Sequence, residues 1–482
     1  MIKNSSKREG LLKSGSFVFF SNAARLFSKF ITNVVSARIL GPTDFGFYNL
    51  IDLIGKYGPL LNLGVASGIG REVPITMGRR AYDEASTIND VGFSGLLSTG
   101  FSSFVLISLL GVLFLHGNAA WGVIFAAAAI FANAVFEYQT VYLYAHSEFR
   151  TASKLISLNS LANLLITVTL VYFAGILGQF AAMFLVPTTV VAFVFASNSY
   201  GFRPHFDFQV YRRIIKIGLP LILIGVGYTF LVTVDRIIVV KFLGIKDLGY
   251  YSLAVMLFAF SQQIPTSITQ VIYPKLNLTF GASSDPSSLE KLAVLPSLVL
   301  SIIMPYVLVI FIAVLPIVVR TLLPAYARGT MSAEIILAPI AFYGVNILNT
   351  LFEVNELVLS LAFAVLLKIA LSIVLVRGGY GIDGVAIASA LSLTGYTLSV
   401  SILSLLHLGK GARFIVRYTL LVALLPLSFV ISFILFFNNL EVFNALALPA
   451  GAYILLTAYI TLKSKMRPSN LLPVYKTLLD SP

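Results

Sequence analysis

Charged side chains interrupt several long apolar stretches of this sequence, and they are the residues with the most chemistry to offer. The basic ones are Arg25, Lys29, Lys56, Arg236 and Lys368, and the acidic ones are Asp52, Glu137 and Asp235. A charge at the centre of a bilayer costs about 2.5–3.5 kcal/mol on insertion scales, so such residues usually face a hydrated cavity or pair with each other. The excess of cations predicts a hydrated chamber of net positive character, which would bind a phosphate-bearing or otherwise acidic substrate.

The spacing of these residues indicates which of them share a helix face. Arg25 and Lys29 are four residues apart, and so are Asp52 and Lys56, which places each pair on one side of a helix. We expect Arg25 and Lys29 to line the chamber, and we expect Asp52 to be able to form an ion pair with Lys56. Glu137 is a candidate for a coupling protonation site. The alternative interpretation of the whole set is that internal salt bridges fix the register of the helices.

The elements that must carry these charges are membrane-spanning helices. The chain has 482 residues, of which 58% are hydrophobic and 11% are charged, and its mean hydropathy is +0.93. A soluble domain carries about 25% charged residues, so lipid is indicated as the solvent. We count about 14 apolar segments of the roughly 20 residues that a bilayer requires, and they predict an all-α polytopic membrane protein. The segments are 16–38, 44–72, 89–115, 119–144, 151–174, 177–199, 217–240, 248–274, 291–319, 332–354, 356–376, 382–407, 415–436 and 442–463.

The distribution of basic residues predicts the orientation of the chain. The formal net charge is +13, and most of the 33 Lys and Arg residues fall in the loops and tails on the side of the N-terminus. Such loops are cytoplasmic by the positive-inside rule, so we expect both termini in the cytoplasm and a multi-pass protein of the cell (inner) membrane. Anionic membrane lipids are sufficient partners for this charge, and no nucleic acid is expected.

A thirteen-residue motif occurs twice in the sequence. RILGPTDFGFYNL at Arg38–Leu50 returns in the second half as KFLGIKDLGYYSL at Lys241–Leu253. The first glycine of each copy allows a tight turn, the aspartate is expected at the N-cap of the next helix, and the second glycine allows close helix packing. We interpret the motif as a structural hairpin, with direct substrate contact as the alternative. The repeated positions are Gly41, Asp44 and Gly46 in the first copy and Gly244, Asp247 and Gly249 in the second.

A second repeated stretch indicates an internal duplication. GILGQFAA at Gly175–Ala182 matches GIDGVAIA at Gly381–Ala388, at nearly the same offset as the first motif. The sequence therefore predicts two parallel six-helix repeats related by a pseudo-symmetry axis along the membrane normal. The predicted domains are a first bundle at 1–205, a second at 206–410, and two further helices with a cytoplasmic tail at 411–482.

These motifs resemble a known family of exporters. RILGPTDFGFYNL, the GLP of Gly218–Pro220, VDRIIVVKFLGIKDLGYYSL from Val234, and GIDGVAIA from Gly381 resemble the polysaccharide-transport (Wzx-type flippase) branch of the multidrug/oligosaccharidyl-lipid/polysaccharide exporter superfamily. The resemblance covers about residues 10–410. It implies a flippase that moves undecaprenyl-pyrophosphate-linked oligosaccharide units from the inner to the outer leaflet, for O-antigen, lipopolysaccharide, capsule or exopolysaccharide.

The resemblance also carries expectations about the site and the partners. It implies a cationic lumen for the anionic head group, to which Arg25, Lys29, Lys56, Arg236 and Lys368 would contribute in this chain. It further implies drive by an H+ or Na+ gradient, alternating access, and operation alongside polysaccharide polymerase machinery. Asp235 matches an acidic residue that is common in the family before the exit of the seventh helix.

Other functions remain open on the sequence alone. A peptidoglycan precursor flippase shares this chemistry, whereas a multidrug or metabolite antiporter would be expected to carry a cavity rich in carboxylates. A sugar polymerase or ligase is the enzymatic alternative, and the short outer loops argue against it. The sequence has no cysteine, no phosphate-cradling G-x-x-x-x-G-K-[ST] loop and no H-E-x-x-H motif, so we expect neither a cofactor nor a metal.

Overall fold

The computed structural model describes residues 11–146, 148–196, 205–282, 286–342, 354–407 and 411–420. Every regular element in these ranges is a helix, as expected where the bilayer offers backbone N–H and C=O groups no water to bond to. Six of these helices are long and apolar enough to cross a membrane, or seven if the two parts of α7 count as one span. The prediction of an all-α polytopic membrane protein is therefore confirmed. Most of the two C-terminal predicted spans lies outside the described residues.

The helices follow one another with short connections. They are α1 Leu11–Lys56, α2 Gly58–Leu61, α3 Val65–Gly78, α4 Tyr82–Phe114, α5 Asn118–Ala145, α6 Phe149–Ala196, α7 Phe208–Phe242, α8 Ile245–Ala282, α9 Pro286–Leu322, a 3₁₀-helix at Pro324–Gly329, α10 Thr330–Leu337, α11 Val354–Arg377, α12 Gly381–His407 and α13 Ala412–Thr419.

The two longest helices, α1 and α6, are each interrupted by a glycine. A straight helix of the 48 residues of α6 would be about 72 Å long, more than twice the hydrocarbon thickness of a bilayer. Gly175 leaves helical geometry at φ 55 and ψ −131 inside α6, and Gly41 does so at φ 70 and ψ 175 inside α1. Each interruption falls where the sequence predicts the end of one span and the start of the next.

These interruptions recur at equivalent places of the duplicated sequence. Gly244, the counterpart of Gly41, has φ +100, and Gly381, the counterpart of Gly175, has the same φ of +55. Left-handed backbone of this kind strains any residue with a Cβ atom. The two halves therefore share backbone conformation at both repeated motifs, which supports the duplication.

The second predicted span, 44–72, is not one continuous helix. The structure divides it among the end of α1, the single turn α2 and the start of α3. Leu63 and Gly64 separate α2 from α3 in the left-handed region, at φ 52 and φ 72. Gly58, Pro59 and Gly64 all weaken a helix here, and hydropathy alone gives no sign of such a break.

Close packing at Gly178 holds the two parts of α6 together. A methyl group at this position would stand 1.9 Å from the carbonyl oxygen of Leu170. We expect Gly178→Ala to destabilise the protein by about 1–3 kcal/mol, because the backbone must move to accept the added atom. The measurement is the apparent Tm of the purified protein in detergent.

Gly55→Ala is the matched control, because a methyl group there meets no atom within 4 Å. Alanine also favours a helix over glycine, so this variant should melt at or above the wild-type temperature. Equal melting of the two alanine variants would contradict the packing argument.

The chain divides into two compact units, Met1–Phe230 and Leu231–Pro482, named here the first and second unit. The boundary falls inside α7, because the beginning of that helix packs in the core of the first unit. Ile214 is fully buried there with Ile69, Ile88 and Tyr138. The bundle boundaries at 205 and 410 stay a prediction.

Candidate functional site

A buried ion pair lies in the second unit between α7 and α11. The Lys368 Nζ atom stands 3.1 Å from Asp235 Oδ2, and the two side chains are 0% and 1% exposed. Lys368 also donates a hydrogen bond to the carbonyl oxygen of Leu231, at 2.7 Å. Both charges are therefore enclosed by protein in this structure.

Hydroxyl and amide donors complete the surroundings of the Asp235 carboxylate. The Tyr251 hydroxyl on α8 donates to Oδ2 at 2.8 Å, and the Ser389 hydroxyl on α12 does so at 3.3 Å. The backbone N–H of Arg236 donates to Oδ1 at 2.9 Å. Because charge-assisted hydrogen bonds of this kind offset part of the desolvation of a buried ion, four helices are tied to one carboxylate.

The first unit carries an uncharged counterpart of this cluster. The Asn163 side-chain amide on α6 donates to the hydroxyls of Ser28 at 3.1 Å and Thr32 at 3.2 Å, both on α1. Thr32 precedes the motif glycine Gly41 by as many residues as Asp235 precedes Gly244.

The other members of the two clusters correspond as well. Ser28 matches Leu231 at the same spacing, and Lys368 precedes Gly381 by one residue more than Asn163 precedes Gly175. One helix-to-helix contact is thus neutral in the first half and ionic in the second. The sequence argument missed this partner of Asp235, although the shared register before the repeated glycines contains the signal.

Arg236 follows Asp235 on α7 and is also buried. Its side chain is 4% exposed, and its Nε and Nη1 atoms have no hydrogen-bond partner among the described residues. The structure thus brings Asp235, Arg236 and Lys368 into one enclosed neighbourhood of the second unit.

The two cations of α1 are in a different state. Arg25 is half-buried and Lys29 is exposed. Within the described part of the chain, neither side chain has an ion pair or a hydrogen bond. They lie one helical turn apart, so their charges face the same side of α1.

The remaining charged candidates of the first unit lie further along the chain. Lys56 Nζ is 3.2 Å from Asp52 Oδ2, with side chains 32% and 27% exposed, so the structure contains this ion pair. Partly exposed pairs at this spacing contribute only about 0.3–0.5 kcal/mol. Glu137 on α5 is exposed and borders a pocket of the first unit.

The repeated hairpin motif differs in one respect from the expectation. Asp247 is the third residue of α8 rather than its N-cap, because the Gly244 carbonyl already accepts the Leu248 N–H at 3.1 Å. A carboxylate in the first turn still interacts favourably with the helix dipole. Asp247 pairs with Arg328 at 3.2 Å, whose guanidinium lies 5.6 Å from the centre of the Tyr250 ring. Asp44 is exposed, and the glycines of the first turn, Gly46 and Gly249, are buried.

Comparison with known proteins begins with one sequence family. A family model described as polysaccharide biosynthesis protein matches residues 35–326, more than half of the chain. No curated protein matches the sequence significantly.

Solved structures of transporters share the fold. An inward-facing and an outward-facing structure of a multidrug resistance MATE family transporter of the MOP superfamily align with TM-scores of 0.65 and 0.66, at 13% and 12% identity. These alignments cover 80% and 83% of this chain and 94% and 97% of those chains. A MOP superfamily transporter from Pyrococcus furiosus Vc1, with a binding pocket of reverse polarity, aligns with a TM-score of 0.67 at 12% identity, over 83% of this chain and 97% of that one.

Proposed function

Because the chain belongs to the polysaccharide biosynthesis protein family, we propose that it is a flippase for polyprenyl-pyrophosphate-linked oligosaccharides. It moves these units from the inner to the outer leaflet by alternating access. Family and fold point to a membrane transporter rather than to a catalytic enzyme. A diphosphate-sugar head group cannot enter hydrocarbon without a substitute for its water, and supplying that substitute is the task of such a protein.

The observation that carries this proposal is the pair of accessible cations on α1. Arg25 and Lys29 sit in the middle of a span, on one face, and have no counter-charge among the described residues. An arginine fork and a lysine ammonium bind phosphate oxygens through charge-assisted hydrogen bonds. A diphosphate supplies the anionic oxygens that would compensate both.

The five predicted lumen cations take different roles in this proposal. Arg25, Lys29 and the partly exposed Lys56 form the lining that meets the head group, and Asp52 restrains Lys56. Lys368 is fully enclosed and occupied by Asp235, so we assign these two a positioning role in the second unit. Arg236 is enclosed beside them, and its contribution to the lining stays a prediction.

The rest of the transport cycle follows from the same chemistry. We propose an inner-membrane protein with cytoplasmic termini, driven by an H+ or Na+ gradient and delivering units to polysaccharide polymerase machinery. A multidrug antiporter for organic cations would need anionic groups where Arg25 and Lys29 stand. The two C-terminal spans would hold the polyprenyl tail.

Deletion of the gene tests the proposed cargo. We expect lipid-linked oligosaccharide to accumulate on the cytoplasmic leaflet while surface polysaccharide is lost, and a plasmid copy to restore both. The leaflet is assigned by the access of a membrane-impermeant glycosidase or lectin to right-side-out vesicles. Accumulation of peptidoglycan precursor instead would identify the other flippase class, and unpolymerised units on the outer leaflet would place the defect after flipping.

A further inference from the structure

A small pocket lies in the first unit where α3, α4, α5 and α7 meet. It has about 270 Å³ of empty space. Its polar lining comes from Asn62 and Ser67 at the break between α2 and α3 and from Glu137 on α5, and the rest of the wall includes Leu96, Ala134 and Ile222. The pocket therefore presents one carboxylate to a few uncharged polar groups inside a membrane-spanning region.

The break in the helix supplies hydrogen-bond donors to this pocket. The first hydrogen bond of α3 runs from the Gly68 N–H to the Gly64 carbonyl at 2.9 Å, and Gly64 offers no side-chain cap. The N–H groups of Ala66 and Ser67 therefore lack acceptors within the helix, and both residues line the pocket. The partial positive charge of this helix end favours an anion nearby.

Asn62 supplies an acceptor to the same pocket. Its side chain is 7% exposed, and its Oδ1 atom has no hydrogen-bond partner among the described residues. A buried acceptor without a donor costs about 1–3 kcal/mol. Since the Asn62 side chain lines the pocket, a donor arriving there would relieve this cost.

We propose that Glu137 is a proton-binding site with a separate partner for each of its two states. The ionised carboxylate is stabilised by the N-terminus of α3. When a proton from solvent bonds to a carboxylate oxygen, the new O–H group donates to Asn62 Oδ1. Both states are thereby stabilised within the span, as a carrier requires that binds a proton on one side of the membrane and releases it on the other.

The charged groups on helices packed against α5 have other neighbours. Glu72 on α3 pairs with Arg213, Arg25 on α1 lies near Tyr144, and Asp90 on α4 lies near Tyr138 and Tyr142. Among the described residues that line the pocket, Glu137 is the titratable one. Coupling of this proton to transport rests on the proposed function, whereas binding of the proton does not.

Infrared spectroscopy of the purified full-length protein in lipid tests the site directly. In sodium-free buffer across about pH 5 to 8, we expect a carbonyl band of a protonated carboxyl group that fades as the pH rises. Glu137→Gln should remove the band, and Glu137→Asp should keep a carboxyl band at a shifted frequency. No cargo is present, so the result does not depend on the proposed substrate.

Asn62→Ala should lower the ratio of protonated to ionised Glu137 about tenfold at a given pH, because the neutral form loses one hydrogen bond. Asn133→Ala is the matched control. It lies one turn before Glu137 on α5, bonds the Ala129 carbonyl of its own helix at 2.8 Å, and should leave the band unchanged. A wild-type spectrum with no band sensitive to the Glu137 variants would overturn the proposal. Loss of the band on adding Na+ at fixed pH would also overturn it, because the occupant would then be a metal ion.

Discussion

Lys368→Met is expected to leave little folded protein in the membrane. The change leaves the Asp235 carboxylate without its counter-charge at a position where the side chain is only 1% exposed. Removing one partner of a buried ion pair costs about 3–5 kcal/mol, a large share of the roughly 5–15 kcal/mol by which folded proteins are stable. The measurement is the yield of monodisperse protein after detergent extraction, together with its apparent Tm.

A double variant separates loss of the pair from loss of packing. Asp235→Asn combined with Lys368→Met removes both charges while keeping most of the volume, and it should recover more than half of the lost stability. Lys154→Met, at an exposed lysine of α6, is the control and should melt like the wild type. If Lys368→Met alone behaved like this control, the pair would have no structural role.

The fold was largely predictable because its signals are local in the sequence. A bilayer requires long apolar helices, and the glycines that end them at Gly41 and Gly175 belong to motifs that occur twice. The break at Leu63 and Gly64 was not predictable, because apolar residues continue across it. What permits it is the packing around it: a methyl group on Gly64 would stand 2.5 Å from the Gly218 carbonyl oxygen of α7, a contact from far along the chain.

The candidate site shows the same division between local and distant contacts. The Asp52–Lys56 pair follows from a spacing of one helical turn. The partner of Asp235 comes from α11, and nothing in either helix alone distinguishes Lys368 from a lysine facing a wet chamber. Only the comparison with Thr32 and Asn163 of the first unit marks that position as a helix-to-helix contact.

The two halves therefore use their buried polarity differently. In the first unit, hydroxyls and an amide join α1 to α6, which leaves the Arg25 and Lys29 charges of α1 without partners in the described structure. In the second unit, a lysine is consumed by the equivalent contact. This asymmetry favours the first unit as the part that meets an anionic cargo.

Arg25→Ala combined with Lys29→Ala is expected to abolish export while leaving the protein folded. Each lost charge-assisted hydrogen bond to a diphosphate is worth about 1.5–3 kcal/mol, so cargo affinity should fall roughly 10²–10⁴-fold. Folding should not suffer, because neither side chain has a partner among the described residues. Surface polysaccharide and the inner-leaflet pool of lipid-linked oligosaccharide report export, and the apparent Tm reports folding.

Two comparisons decide whether positive charge at this place is what matters. Exchanging the residues, as Arg25→Lys with Lys29→Arg, preserves the charge and should retain much of the export. Arg71→Ala with Lys154→Ala removes two exposed cations of the first unit outside the proposed lining and should export normally. Normal export by Arg25→Ala with Lys29→Ala would remove the basis for a cationic lining on α1. Equal loss in the Arg71 and Lys154 variant would attribute the effect to net charge, since only a local lining distinguishes these two pairs of cations.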